Sequence, residues 1–113
     1  MNKRAIGSAG EAQAAAYLEQ LGYQIEARNV YAGHKEIDLV AREGKYLVFV
    51  EVKYAKNRAM GDPLEKVDTK KQNHIRHAAR EYLYRNHLSE DTACRFDVVR
   101  ILGKDISLIR DAF

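Results

Sequence analysis

Residues 36–53, EIDLVAREGKYLVFVEVK, constrain the fold most, because they combine two strand patterns with a turn signal between them. The second half, residues 46–52, is an almost continuous apolar run, which is typical of a strand buried on both faces. Glu43 and Gly44 lie between the halves and predict a two-residue loop. The sequence therefore predicts an antiparallel hairpin near the centre of a sheet.

This hairpin carries charges where a sheet face is usually apolar. In the predicted register Glu36 lies opposite Glu51. Side-chain alternation places Asp38 and Lys53 on that same face. Like charges opposed across a sheet are unfavourable, and burial adds a desolvation cost. A divalent cation such as Mg²⁺ relieves the repulsion, because it binds carboxylate and carbonyl oxygens. Asp38, Glu51 and the Val52 carbonyl form one such set, and ordinary ion pairs on a solvated face are the alternative.

The N-terminal part of the chain predicts a first helix over residues 9–21. Ser8 and Glu11 match the S-x-x-E capping box, so the helix is expected to begin just after Ser8. Residues 1–7 show no apolar period and are expected to be mobile. Glu11 also falls on the apolar stripe of the helix with Leu18. It therefore either caps the helix or reaches the acidic patch.

The remaining elements complete a single domain covering residues 1–113. Residues 64–86 predict a second helix, whose buried stripe is Val67, Ile75, Ala78, Ala79, Tyr82 and Leu83. Lys71 lies within this stripe, so its ammonium either extends to solvent or reaches the sheet. Further strands are predicted at residues 23–30, 92–102 and 106–109. The order α-β-β-β-α-β-β predicts an α/β fold, with a mixed sheet flanked by helices.

Basic side chains follow the hairpin in two places. Lys56 and Arg58 lie in a loop of about ten residues that either grips a substrate or is an ordinary connection. The outer face of the second helix carries Lys70, Arg76 and Arg80. Such a face is usually only solvated, but it also suits contacts with nucleic-acid phosphates. A net charge of +3 and a pI near 9.0 permit nucleic-acid binding without demonstrating it.

Three other residues favour structural over chemical roles. His34 is expected in an exposed turn rather than on a metal, Cys94 as a packed or edge residue, and Asp97 as the partner of a basic neighbour. A single cysteine allows no intrachain disulfide. With no charged leader or long apolar run, a cytoplasmic protein that does not bind membranes is expected. A homodimer is compatible with the sequence.

An acidic residue, a hairpin return and then Glu-Val-Lys resemble the core of the PD-(D/E)XK nucleases, with Asp38, Glu51 and Lys53 at the motif positions. The flanking segments resemble, in order, nearly the whole of the YraN family of bacterial proteins. These segments are GSAGEAQAAAYLEQLGY, RNVYAGHKEIDLVA, LVFVEVKY, KKQNHIRHAAREYL and CRFDVV. The chain departs from the family pattern at Lys35, where Gly is usual, and at Ala55, where a basic residue is common.

The resemblance implies a restriction-endonuclease-like fold and a metal-dependent endonuclease that acts on DNA with Mg²⁺ or Mn²⁺. Similarity to archaeal Holliday-junction resolvases implies branched or junction DNA. The implied residues are Asp38, Glu51, Lys53 and Lys71 for catalysis, Asp38, Glu51, Val52 and Glu11 for the metal, and Glu36 around them. The alternative is a non-catalytic nucleic-acid-binding module that keeps the fold. A protein-interaction module whose acidic patch docks a basic partner has no specific support.

Overall fold

The described part of the chain folds into five strands and two helices. The computed structural model describes residues 3–32, 35–57, 59, 61 and 67–113, with side chains from residue 10 onward except at 32 and 35. The elements are α1 (Lys3–Gln20), β1 (Gln24–Ala32), β2 (Lys35–Glu43), β3 (Tyr46–Ala55), α2 (Thr69–Arg85), β4 (Cys94–Leu102) and β5 (Asp105–Ile109). The strands form a mixed sheet in the order β1-β2-β3-β4-β5, in which β3 and β4 are parallel. The predicted α/β class and element order are confirmed.

β3 is the central strand, and a helix covers each face of the sheet. Residues 47–50 are at most 1% exposed, as the continuous apolar run predicts. One face, here called the α1 face, packs against Ala14, Ala15 and Leu18. The opposite α2 face packs against the predicted stripe of the second helix, including Ala78, Ala79, Tyr82 and Leu83. Among the described residues, no helix combines the length and apolar character needed to cross a bilayer.

α1 begins earlier than the capping signal predicts. The helix starts at Lys3, so Ser8 lies within it and the predicted N-cap is wrong. Lys, Arg and Ala at positions 3–5 are good helix formers, which explains why the helix continues through the signal. Glu11 therefore lies in the middle of a helix and is free of any capping role.

α2 begins at Thr69, later than the predicted range. Asp68 is the N-cap, and its carboxylate accepts the Lys71 N–H at 2.9 Å. This arrangement satisfies one of the unpaired donors of the first helical turn. The predicted start at residue 64 lies outside the described residues. The first turn of α2 lies near β3, because the Nζ of Lys71 is 3.5 Å from Oε1 of Glu51.

The β2–β3 hairpin turns one position later than predicted. Glu43 pairs with Tyr46, which leaves Gly44 and Lys45 as the loop. Gly44 has a φ of 57°, a left-handed angle that primed hairpin turns require at their first loop position. The predicted Glu43-Gly44 loop and the pairing derived from it are wrong. Because the register shifts by an even number of residues, the face of each β3 side chain is unaffected.

β2 and β3 separate beyond the pair Leu39–Val50. That pair is the last in their register, although β2 continues to pair with β1, and β3 with β4. The sheet therefore opens between its two middle strands. We call this opening the fork, and Asp38 on β2 and Glu51 on β3 are the first residues beyond it.

Side-chain alternation in β2 breaks at Asp38. Leu39 packs into the core on the α1 face, whereas Ile37 packs on the α2 face. Strict alternation predicts the same face for both residues, so the predicted pattern is wrong at this point. β1 is irregular at the same level, because Asn29, opposite Asp38 between two regular pairs, has a φ of 51°. At this end of β2 the acidic side chains of Glu36 and Asp38 approach Glu11 of α1.

Candidate metal centre

Three carboxylates meet on the α1 side of the fork. Oxygen atoms of Glu11, Glu36 and Asp38 all lie within 4.8 Å of one another. Glu11 projects from the sheet-facing side of α1, and the other two come from β2. The prediction that Glu11 reaches the acidic patch is confirmed. These three residues are called the acidic cluster below.

Glu51 and Lys53 approach the fork from its other side. Val50 and Val52 pack on the α1 face, so alternation directs Glu51 and Lys53 to the α2 face. Glu51 Oε1 lies 3.1 Å from the Nζ of Lys53 and 3.5 Å from the Nζ of Lys71. The prediction of one shared charged face is therefore wrong, because the alternation of β2 is broken. The expected approach of Lys71 to the sheet is confirmed.

The Asp38 carboxylate replaces a neighbouring strand as the partner of β3. The Val52 N–H donates to Asp38 Oδ2 at 2.8 Å, although the β2–β3 ladder has already ended. The N–H and C=O of one residue in a strand point toward the same neighbour. The Val52 carbonyl therefore faces the fork as well. Both strands thus direct oxygen atoms into one opening.

The charges at the fork disfavour the ionised form of Asp38. Burial raises the pKa of Asp38 to about 7. The negative charge of Glu51 adds to this rise, followed by the charges of Glu11 and Glu36, whereas the Val52 N–H opposes it. Burial also raises the pKa of Glu11, and the charge of Glu36 adds to that rise. Carboxylates held together against their repulsion are suitable ligands for a hard divalent cation.

Asn29 is a site residue that periodicity does not reveal. Its side-chain amide opposes the rise in the pKa of Glu11, as a hydrogen-bond donor beside that carboxylate does. Its left-handed φ of 51° is uncommon for a residue other than glycine, although Asn tolerates that region better than most. Asn is also depleted in strands. The one feature of the sequence that could have indicated a role for Asn29 was therefore the presence of an Asn within an otherwise strand-like segment.

Replacing Asn29 by Gly is expected to weaken Mn²⁺ binding about tenfold, because outer partners of metal ligands typically have effects of this size. Glycine adopts the same φ without strain, so the fold should persist. Titration calorimetry measures the affinity. Asn29→Ala is the matched comparison, since it loses the same amide and adds backbone strain. Unchanged affinity in the Gly variant would restrict Asn29 to a backbone role.

The predicted nucleic-acid contacts differ in their surroundings. Those with side chains exposed to solvent are Lys56, Lys70 and Arg80. The Arg76 guanidinium instead lies over the rings of Phe96 and Phe113, at 6.0 and 5.4 Å from their centroids. Arg76 therefore contributes to packing on the α2 face. Arg58 and His34 lie outside the described residues.

The structural role expected for Asp97 is confirmed. Asp97 is fully buried and accepts two bonds from Arg95, each at 2.9 Å. It also accepts the Tyr23 hydroxyl at 2.7 Å and the Asp111 N–H at 3.0 Å. Cys94 packs at the margin of the core on the α2 face, and burial raises the pKa of its thiol. A raised pKa disfavours the thiolate that a nucleophile requires.

The fold and site define a class of small α/β proteins in which carboxylates and lysines gather where a mixed sheet divides. Residues 10–101 match the sequence model of the uncharacterised protein family UPF0102. The chain belongs to this family. The relationship to the YraN proteins expected from the sequence is confirmed, because a member of this family named YraN is 41% identical to the chain.

Relatives in several bacteria match the whole chain. It is 51% identical over 113 residues to a UPF0102 protein of Lachnoclostridium phytofermentans, covering 100% of this chain and 96% of the relative. A UPF0102 protein of Caldicellulosiruptor saccharolyticus is 38% identical over 119 residues, with 100% of both chains covered. The UPF0102 protein YraN of Salmonella newport is 41% identical over 114 residues, covering 100% of this chain and 87% of the relative.

Proposed function

We propose that this chain is a metal-dependent endonuclease of the PD-(D/E)XK superfamily that acts on DNA in the cytoplasm. The fork is the observation that carries the proposal, because α1, β2, β3 and α2 all bring ionisable groups to it. Carboxylates on one side suit a divalent cation, and lysines on the other suit a phosphate. The resemblance to archaeal Holliday-junction resolvases supports branched or junction DNA as the substrate.

Each charged group has a distinct role in the proposed hydrolysis. Mg²⁺ or Mn²⁺ held by Asp38, Glu51, Glu11 and the Val52 carbonyl would supply positive charge and lower the pKa of a bound water. Water attack on phosphorus breaks one P–O ester bond and leaves a phosphate monoester end and a hydroxyl end. The other charged side chains at the fork, Lys53, Lys71 and Glu36, act on this reaction through their charge.

The two lysines differ in what they can reach. Lys53 lies 3.1 Å from Glu51 and is 17% exposed, so it is positioned to orient the water or to stabilise charge that develops on the phosphate. Lys71 is 37% exposed at the open side of the fork. It is positioned to neutralise an arriving phosphate. Glu36 adds negative charge to the acidic cluster and strengthens its attraction for the cation.

Lys53→Met is expected to lower Mg²⁺-dependent cleavage by about 100-fold or more, because it removes an ammonium that acts in the transition state. Glu51 keeps Lys71 as a partner, so the fold should survive. Gel assays with labelled branched DNA, with Mg²⁺ or with EDTA, measure cleavage, and thermal melts check the fold. Cleavage by the variant at the wild-type rate would remove Lys53 from the mechanism.

The second candidate is a non-catalytic nucleic-acid-binding module. The two lysine contacts of Glu51 favour it, since they compensate the buried carboxylate without any metal. Mn²⁺ diffusion into crystals distinguishes the candidates. Anomalous density between Asp38 and Glu51 is expected for the nuclease. Wild-type protein that binds branched DNA but cleaves none with Mg²⁺ or Mn²⁺ would favour the module.

Replacing Lys70 and Arg80 together by Ala is expected to weaken DNA binding about tenfold and to reduce its salt dependence, because two phosphate contacts are lost. Metal affinity should not change. Fluorescence anisotropy at several salt concentrations measures both effects. Arg76→Ala is the control, and it should mainly lower stability by removing the contact with Phe96 and Phe113. Unaltered binding in the double variant would move the DNA path away from α2.

A further inference from the structure

Tyr31 stands beside the acidic cluster with its ring open to solvent. It pairs directly with Glu36 across β1 and β2, so the two side chains share one face of the sheet. Tyr31 is 57% exposed. Its carbonyl oxygen accepts a 2.7 Å hydrogen bond from Arg85 Nη1, which ties this end of β1 to α2. The ring is therefore presented by an anchored backbone.

Tyr54 occupies a comparable position on the other side of the fork. It is in parallel register with Ile101, which is buried in the core on the α1 face. Val52, two residues earlier, packs on that same face and donates its N–H to Asp38. Tyr54 therefore projects on the face that carries the acidic cluster, and it is 40% exposed. Exposed tyrosines flank the cluster on β1 and on β3.

The separation of the two rings bears on the kind of nucleic acid that they can contact. Neighbouring strands lie about 4.8 Å apart, and β2 lies between the strands of Tyr31 and Tyr54, so their backbones are roughly 9 Å apart or more. Successive bases of a duplex strand are spaced by about 3.4 Å, and their faces are covered by their neighbours. Rings carried by backbones this far apart suit bases that are splayed and unstacked better than adjacent bases within a duplex.

We infer that Tyr31 and Tyr54 stack on unpaired nucleobases on either side of the phosphate at the fork. The substrate class is then nucleic acid with unpaired nucleotides at the point of cleavage, such as a flap or single strand, rather than a continuous duplex. Aromatic side chains beside a phosphate-binding site commonly serve single strands in this way, since every base has a face for stacking. This inference rests on the proposed function and specifies its substrate.

Binding measured apart from cleavage tests the inference. The probes are a fluorescein-labelled oligothymidylate and a labelled DNA hairpin duplex, with Ca²⁺ in place of Mg²⁺. In fluorescence anisotropy, Tyr31→Ala and Tyr54→Ala are each expected to weaken oligothymidylate binding about tenfold. Duplex binding should not change. Tyr31→Phe and Tyr54→Phe keep the rings and should bind as the wild type does.

Tyr84→Ala is the matched control, because Tyr84 is 83% exposed but lies near the far end of α2 from Lys71. It should leave the ratio of single-strand to duplex affinity unchanged. Wild-type protein that binds neither oligothymidylate nor a labelled oligouridylate overturns the inference. Alanine variants at Tyr31 and Tyr54 that bind the single strand normally, or that lose duplex binding equally, also overturn it.

A parallel titration with labelled oligouridylate separates DNA from RNA. If Tyr31→Ala and Tyr54→Ala weaken the binding of either oligonucleotide, the result supports stacking on unpaired bases. If they weaken the binding of neither oligonucleotide, the result contradicts it. The proposed nuclease activity fails independently if Mg²⁺ and Mn²⁺ produce no cleavage, because the anisotropy measurement does not involve the chemical step.

Discussion

Asp38→Asn is expected to abolish Mg²⁺-dependent cleavage and, in EDTA above neutral pH, to raise the free energy of unfolding by on the order of 2–4 kcal/mol. The gain arises because a half-buried charge beside Glu51, Glu11 and Glu36 is removed. The Asn side-chain oxygen can still accept the Val52 N–H. Urea denaturation measures the stability. An Asn variant clearly less stable than the wild type in EDTA would contradict this account.

The pH dependence has a definite sign. The pKa of Asp38 is about 7 in the folded protein, whereas the ordinary pKa of an aspartate is 3.8, so between these limits the folded state binds more protons than the unfolded chain. Wild-type stability in EDTA should therefore fall as the pH rises from about 4 to about 7. The Asn variant lacks this contribution. Added Mg²⁺ should stabilise only the wild type, because binding to the native state requires the carboxylate.

Glu51→Gln provides the control for this prediction. Glu51 is 4% exposed and contacts the ammonium groups of Lys53 and Lys71. Its replacement removes the carboxylate from both lysines, so the variant should be less stable than the wild type in EDTA. Asp38→Asn is expected to raise the stability and Glu51→Gln to lower it. This difference would show that the effect of each substitution depends on the partners of that carboxylate, and not on a general loss of negative charge.

Asp97→Ala is expected to lower the free energy of unfolding by about 3–5 kcal/mol, the usual cost of removing one partner from a buried ion pair. The buried carboxylate accepts bonds from Arg95, the Tyr23 hydroxyl and the Asp111 N–H. Without it, these donors lose their shared buried acceptor. Denaturant titration of the purified variant gives the value.

Glu43→Gln is the comparison for Asp97. Glu43 contacts Arg95 at 2.7 Å and Arg110 at 3.1 Å at the edge of the same network, where its side chain is 24% exposed. Water can replace part of these contacts, so a loss of about 1 kcal/mol or less is expected. Similar losses at the two positions would show that burial does not determine the contribution of each carboxylate.

The fold was predictable wherever one residue pattern determined the packing. The run at 47–50 identified the central strand, and the spacing of Ile75, Ala79 and Tyr82 identified the buried side of α2. The start of α1 was missed, because the local capping signal at Ser8 competes with good helix formers before it. Local signals alone do not decide such a competition.

The site was predictable in its membership but not in its geometry. Asp38, Glu51 and Lys53 were recognised from spacing and resemblance, and the structure brings all three to the fork. Their division between two faces follows from the break in alternation at Asp38, which lies opposite Asn29 with its left-handed backbone. Both features arise from tertiary packing, which periodicity in the sequence does not record.

The Val52 N–H of the central strand donates a hydrogen bond to Asp38, so the environment of this amide depends on the state of the Asp38 carboxylate. Protonation of the carboxylate, or its capture by a cation, weakens the acceptor of that amide. The amide resonance of Val52 should then shift, and its hydrogen should exchange with solvent more readily, while the neighbouring ladder amides stay protected. Occupancy of the fork could thus be followed in an NMR spectrum at one residue, with no substrate present.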